Sequence, residues 1–157
     1  FVNSDGTFGV DTSHIDGVVS DDESVIVATS NTTRDQIKSI MVCIKKSSGW
    51  TNAKLSGTYT GVVLWGTGSS DVWTSLEDFT FDGNGTLSYT TLANSKGEDV
   101  GQAGSVSYNV SPDGTITLAG DTTGIVGAVS ADGNMFAILV IDDANDDGQL
   151  IVGVKKP

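Results

Sequence analysis

The chain has 157 residues, of which 38% are hydrophobic. That supports one cored domain or a domain plus part of another, and excludes an intrinsically disordered chain. Its 20 acidic residues against 8 basic ones leave a net charge of −12, so nucleic acid, which needs clustered Lys and Arg, is excluded as a partner, and no apolar run approaches the roughly 20 residues of a membrane-spanning helix.

The acidic residues are skewed: Asp outnumbers Glu by 17 to 3, often in Asp-Gly or Asp-Asp steps. Asp favours turns through local backbone hydrogen bonds, whereas Glu favours helices. The composition therefore predicts short strands joined by tight turns. The chain starts at Phe1 rather than Met, which reads as a processed or trimmed chain. Cys43 is the sole thiol and His14 the sole imidazole, so neither an internal disulfide nor a His-based metal cluster can be assembled. His14 reads as a turn residue and Cys43 as a small hydrophobe.

In chain order, the first segment, 1–49, resembles the last third of the chain. At an offset of 108, Val2, Asp5, Gly6 and Thr7 match Val110, Asp113, Gly114 and Thr115. At an offset of 110, Ile15, Gly17, Val19, Ser20 and Asp22 match Ile125, Gly127, Val129, Ser130 and Asp132, and Lys45-Lys46 match Lys155-Lys156. Residues 1–49 are thus expected to form the back half of a first β repeat, of about four strands, ahead of a complete repeat over 50–157. Thr33 to Met41 is the one candidate for a short helix, although Ile37 to Ile44 reads better as strand. A half repeat leaves open sheet edges, which template pairing with other chains. The expected partner is the protein itself, through the edge strands of the half repeat; a truncated tandem array is the plainer alternative.

Within 50–157, period-2 alternation runs through Leu55 to Trp65, Phe79 and Phe81, Leu87 and Tyr89, Val106 to Val110, and Ile116 to Leu118. Met135 to Ile141 is a continuous apolar run, expected to be a strand buried on both faces. Leu150 to Val154 closes the repeat. The steps Asp82-Gly83, Asn84-Gly85, Asp113-Gly114 and Asp132-Gly133 supply the positive φ of tight hairpins. These signals predict an all-β fold, an antiparallel up-and-down meander of about eight strands closed into a barrel or sandwich. The predicted core is Leu55, Tyr59, Val63, Phe79, Phe81, Leu87, Val106, Tyr108, Ile116, Phe136, Ile138, Val140 and Val152.

The segments Leu55-Ser-Gly-Thr-Tyr59, Phe79-Thr-Phe-Asp-Gly-Asn-Gly-Thr-Leu87, Gly104-Ser-Val-Ser-Tyr108 and the terminal Gly153-Val-Lys-Lys156 resemble the β-rich tandem-repeat modules of bacterial secreted and cell-surface proteins. The opening Gly-x-Tyr strand is also loosely similar to avidin-like and lipocalin-like barrels, in architecture alone. The first resemblance implies an extracellular or cell-surface location.

Three constellations could carry chemistry. Asp143, Asn145 and Asp147 before Gly148 have the alternate spacing of calcium ligands. Val154 stands where an EF-hand needs its bidentate Glu, so a solvated acidic hairpin loop is favoured and calcium is the alternative. The adjacent acids Glu77-Asp78 and Glu98-Asp99 point to opposite faces of a strand, which argues against a glycosidase pair. Tyr59, Trp65 and Trp73 could line a small-molecule or sugar surface, or fill the core. With no nucleophile–base motif, no enzyme is expected. The leading reading is a structural, self-associating module, and the alternative is a ligand-binding β-barrel.

Overall fold

The structure is a computed structural model and describes residues 3–10, 15–31, 38–67, 71–119, 126–142 and 147–157. The chain divides into two compact units, Phe1–Lys45 and Lys46–Pro157. The first unit is a four-stranded antiparallel sheet of β1 (Thr7–Val10), β2 (Ile15–Val19), β3 (Val25–Asn31) and β4 (Lys38–Ile44), in that spatial order. Positions 38–44 are thus strand; 32–37, the rest of the helix candidate, lie outside the described residues, as does His14.

The second unit opens on a 3-10 turn at Asn52–Lys54 and then runs through eight strands. These are β5 (Ser56–Thr67), β6 (Asp71–Asp82), β7 (Thr86–Asn94), β8 (Ala103–Val110), β9 (Thr115–Leu118), β10 (Val126–Val129), β11 (Met135–Asp142) and β12 (Asp147–Lys155). Each pairs antiparallel with its chain neighbour, and β12 pairs with β5 from Asp147↔Thr67 to Lys155↔Tyr59, closing a barrel. Closure leaves no strand edge in this unit. The fold is the all-β up-and-down barrel with an additional four-stranded sheet that the alternation and turn steps predict.

One end of the barrel is filled. Edge-to-face contacts join Phe136 to Tyr59, Phe79 and Phe81 at ring distances of 5.3, 5.5 and 5.1 Å, and Phe81 to Tyr108 at 5.0 Å. Such pairs contribute beyond their buried area. The phenols find partners: Tyr59 donates to the Gly133 carbonyl at 2.6 Å and Tyr108 to the Leu55 carbonyl at 2.9 Å. Trp50 closes this end against Gly114 and Gly133, whose φ of +83° and +75° are the turn geometries that favour glycine.

Two expectations need correction. Met135–Ile141 is not buried on both faces: Phe136 and Ile138 are buried, whereas Leu139 and Ile141 are exposed. A barrel strand has one inside, so a continuous apolar run in this fold leaves half its side chains on the outer wall. Val152 likewise faces outward and is only half-buried, and its neighbour Ile151 takes the core position. Of the other predicted core residues, Val106 and Val140 are partly buried against the core and the rest are buried.

The four-stranded sheet and the last four barrel strands share one register. Thr7↔Val18 and Phe8↔Gly17 in the sheet correspond to Thr115↔Ala128 and Ile116↔Gly127 in the barrel. Val19↔Ile26 corresponds to Val129↔Phe136, and Val25↔Ile44 to Met135↔Val154. The turns match too. Ser20 Oγ donates to Asp22 and Ser130 Oγ to Asp132, each at 2.6 Å, while each serine oxygen accepts the N–H of the residue five places on. Glu23 adopts a φ of 57° where the barrel has Gly133 at 75°. The two sets of strands differ at their flanks: β9 and β12 pair with β8 and β5, whereas β1 and β4 are the sheet's outer strands.

The turn aspartates make the fold acid-sensitive. The Lys46 ammonium, 2.5 Å from the Asp113 carboxylate, together with the Thr115 hydroxyl and N–H, holds Asp113 down at about 2. A carboxyl with a lowered folded-state pKa stabilises the fold above its ordinary value of 3.8, and that contribution is lost as pH falls toward about 2. The melting temperature of the barrel is therefore expected to decline as pH drops through that window, and Asp113→Asn should flatten the decline. An identical profile in the variant would show that this pair adds nothing, as many exposed pairs do.

Candidate ligand-binding site

Among the described residues the other end of the barrel is open and differently lined. Along β6 every second side chain faces inward: Trp73, Ser75, Glu77, Phe79 and Phe81. Phe81 belongs to the filled end, Phe79 stands between the two ends, and Trp73, Ser75, Glu77 and Phe79 line a cavity of about 340 Å³. Its apolar walls include Val63, Leu87, Val106 and Ile151. The volume lies at the small end of the range for small-molecule sites.

The buried polar groups come from one wall. The ladder between β6 and β7 pairs Leu76 with Ala93 and then Glu77 with Thr91, which leaves Leu92 as an extra residue on β7. A bulge of this kind re-aims side chains; here the exposed Leu92 is spent on the outside and Thr91 lies inward opposite Glu77. Ser75, Glu77 and Thr91 are 3%, 6% and 8% exposed. The Ser75 hydroxyl donates to Glu77 Oε1 at 2.6 Å, the one hydrogen bond to that carboxylate among the described residues. An ionised carboxylate offers about four acceptor positions, so most of the Glu77 capacity is unspent, and no Lys or Arg forms an ion pair with it among the described residues.

Trp65 and Trp73 are cross-strand partners whose rings stack 4.5 Å apart and 3° from parallel. Lys96 Nζ lies over the Trp73 ring, 5.4 Å from its centroid. The Trp65 Nε1–H is buried and has no partner among the described residues. The segment from Ser95 to Gln102 is tied back by Thr91, whose N–H donates to the Gln102 carbonyl at 2.9 Å and whose carbonyl accepts from Gly101 at 2.8 Å. It brings Asp99 and Gln102 to the cavity, bonded to one another at 2.6 Å.

Of the residues picked from sequence, Trp65 and Trp73 line this cavity. Tyr59 does not: it is fully buried in the filled end, its hydroxyl spent on Gly133. Asp143 and Asn145 lie outside the described residues, and Asp147 opens β12 opposite Asp142 and Thr67. Among the described residues no group of three or more His, Cys, Asp or Glu is placed to hold a metal. Glu77 and Asp78 diverge as strand neighbours should, Glu77 inward and Asp78 outward to Lys156 at 2.7 Å. The sequence reading leaves out Ser75 and Thr91 and weighs Glu77 only as half of an acidic pair with Asp78. The signal was present in the inward parity of β6, where Ser and Glu interrupt an aromatic series.

The fold and this half-open interior define a small antiparallel β-barrel joined to a four-stranded sheet. No family model matches the chain, and no curated protein matches it. Among solved structures it is similar to the isotype 1 transferrin binding protein B from serogroup B Neisseria meningitidis, with a TM-score of 0.52 at 8% identity. The similarity covers 99% of this chain and 37% of that one. At that identity the likeness is one of fold. Among the described residues no helix is long and apolar enough to cross a membrane.

Proposed function

We propose that residues 46–157 are a non-enzymatic, small-molecule-binding barrel within a bacterial extracellular or cell-surface protein. The observation that carries this reading is the cavity at the open end, where an apolar space of about 340 Å³ meets three buried polar side chains on one wall. Glu77 accepts one hydrogen bond, from Ser75, among the described residues, which leaves most of its acceptor capacity to a molecule in the cavity. Few convergent polar groups in an otherwise apolar pocket are the usual make-up of a ligand site. The location is supported by the resemblance to β-rich modules of bacterial secreted and cell-surface proteins and by the bacterial binding protein that shares the fold.

The test is mapping of amide and indole NMR shifts while a neutral probe, benzyl alcohol, is titrated into the whole chain. The Trp65 and Trp73 indole resonances should move and that of Trp50, at the filled end, should not. Unmoved Trp65 and Trp73 signals at tens of millimolar probe would reject the reading.

The shared register favours a second reading, for the sheet. Its strands β1 to β4 repeat the pairing of β9 to β12 without counterparts of β5 and β8 at their flanks, and Val18, Ile40 and Met41 are exposed. On this reading the outer strands pair with those of a second copy, because an unpaired edge is a template for another chain. Sedimentation across a hundredfold concentration range should show mass rising with concentration; a constant monomer mass would reject self-association.

A further inference from the structure

We propose that the ligand of the open end is a small organic monocation, an aliphatic or aromatic ammonium compound whose charged head meets Glu77 and whose apolar body fills the cavity. This deepens the binding reading given above and rests on it. The buried polar groups are grouped on the β6–β7 wall, with Glu77 flanked by the hydroxyls of Ser75 and Thr91; the facing lining carries apolar side chains such as Val63, Leu87 and Ile151, with Asp99, Gln102 and Gln149 as the polar groups beyond that wall. That division fits a molecule with one polar head and one apolar body.

The charge balance selects the head. Among the described residues the titratable groups around the cavity are Glu77, Asp99 and Tyr89 in the lining, and Lys96 above Trp73. Glu77 is 94% removed from solvent and lacks an ion-pair partner among the described residues, so a cation brought to it meets an acceptor at short range in a medium less polar than water, where charge–charge attraction is several-fold stronger. An anion would meet the same field as repulsion. A neutral head would leave the carboxylate without a compensating charge. A sugar is disfavoured for a further reason: the Trp65 and Trp73 rings stack on each other at 4.5 Å, so those two faces are unavailable as a sugar platform.

The experiment is titration calorimetry of the whole chain at neutral pH with three probes of one shape: benzylamine, benzyl alcohol and phenylacetate. Benzylamine is expected to bind at least tenfold more tightly than benzyl alcohol, with no detectable binding of phenylacetate. Glu77→Gln, which retains an acceptor for Ser75, should erase the preference for the amine over the alcohol. Equal affinity for amine and alcohol in the native chain overturns the cation inference and leaves the cavity reading standing. A preference that survives in Glu77→Gln also overturns it, since the selectivity would then come from the overall charge of −12. Failure of all three probes, together with unmoved Trp65 and Trp73 resonances, overturns both. The native-chain comparison stands even if the variant does not fold.

Discussion

Phe136→Ala lowers the unfolding free energy of the barrel by about 3–5 kcal/mol, the usual cost of deleting a buried aromatic ring. Phe136 is 0% exposed and touches the rings of Tyr59, Phe79 and Phe81, all approached edge-on. Truncation removes three aromatic contacts at once and opens a hole beside rings carried by two other strands, β5 and β6. Those strands are held by the barrel ladder and cannot close in, so the space remains as a cavity. The ring also occupies the space above Gly153, where any added Cβ would overlap it. Urea unfolding followed by tryptophan fluorescence is the measurement. All three tryptophans, Trp50, Trp65 and Trp73, belong to the barrel unit, so the signal reports that unit alone. Val72→Ala, at a position 72% exposed, serves as the comparison and should change stability by within about 0.5 kcal/mol. A loss below about 1 kcal/mol for Phe136→Ala would mean that the aromatic cluster is not the packed centre of this unit.

Glu77→Met has the opposite sign: it raises the stability of the barrel by about 1–2 kcal/mol and abolishes ligand binding. Glu77 holds a carboxylate at 6% exposure with one hydrogen bond, from Ser75. Replacing a largely buried carboxylate that has no ion-pair partner among the described residues by an apolar side chain of similar length removes its desolvation cost. The lost Ser75 bond, worth about 1 kcal/mol, offsets part of the gain, and the flexible Met fills the cavity beside Val63 and Ile151. A stability gain coupled to lost binding is the mark of a residue kept for function. The same urea titration decides the sign, and benzylamine calorimetry reads the binding. Destabilisation by more than about 1 kcal/mol would instead make Glu77 a structural residue and remove the main physical argument for the site.

Much of the architecture was legible because it depends on short-range chemistry. The steps Asp82-Gly83, Asn84-Gly85, Asp113-Gly114 and Asp132-Gly133 sit at turns, and their glycines have the positive φ that such turns require. Alternation along β5 and β6 placed Leu55, Tyr59, Val63, Phe79 and Phe81 inside, because strand neighbours must face opposite ways. Alternation failed where it was absent: nothing in the run from Met135 to Ile141 says which parity faces in, and the same ambiguity misplaced Val152 for Ile151.

The site was less legible because it depends on where along the barrel a residue falls. Periodicity assigns Tyr59, Trp65 and Trp73 the same inward direction but not the same depth. Tyr59 lies among rings from β6 and β11, whereas Trp65 and Trp73 lie at the open end, and only the closure of β12 onto β5 sets those levels. Glu77 read as half of an unproductive acidic pair because its real neighbours are Ser75 and, across a bulge at Leu92, Thr91. Local sequence by itself determined strands, turns, the number of elements and most of the buried face, since backbone dihedrals and side-chain alternation are properties of adjacent residues. Only the tertiary structure decided which end is filled, which is open and that a carboxylate stands in the opening, because those follow from the register between strands far apart in the chain.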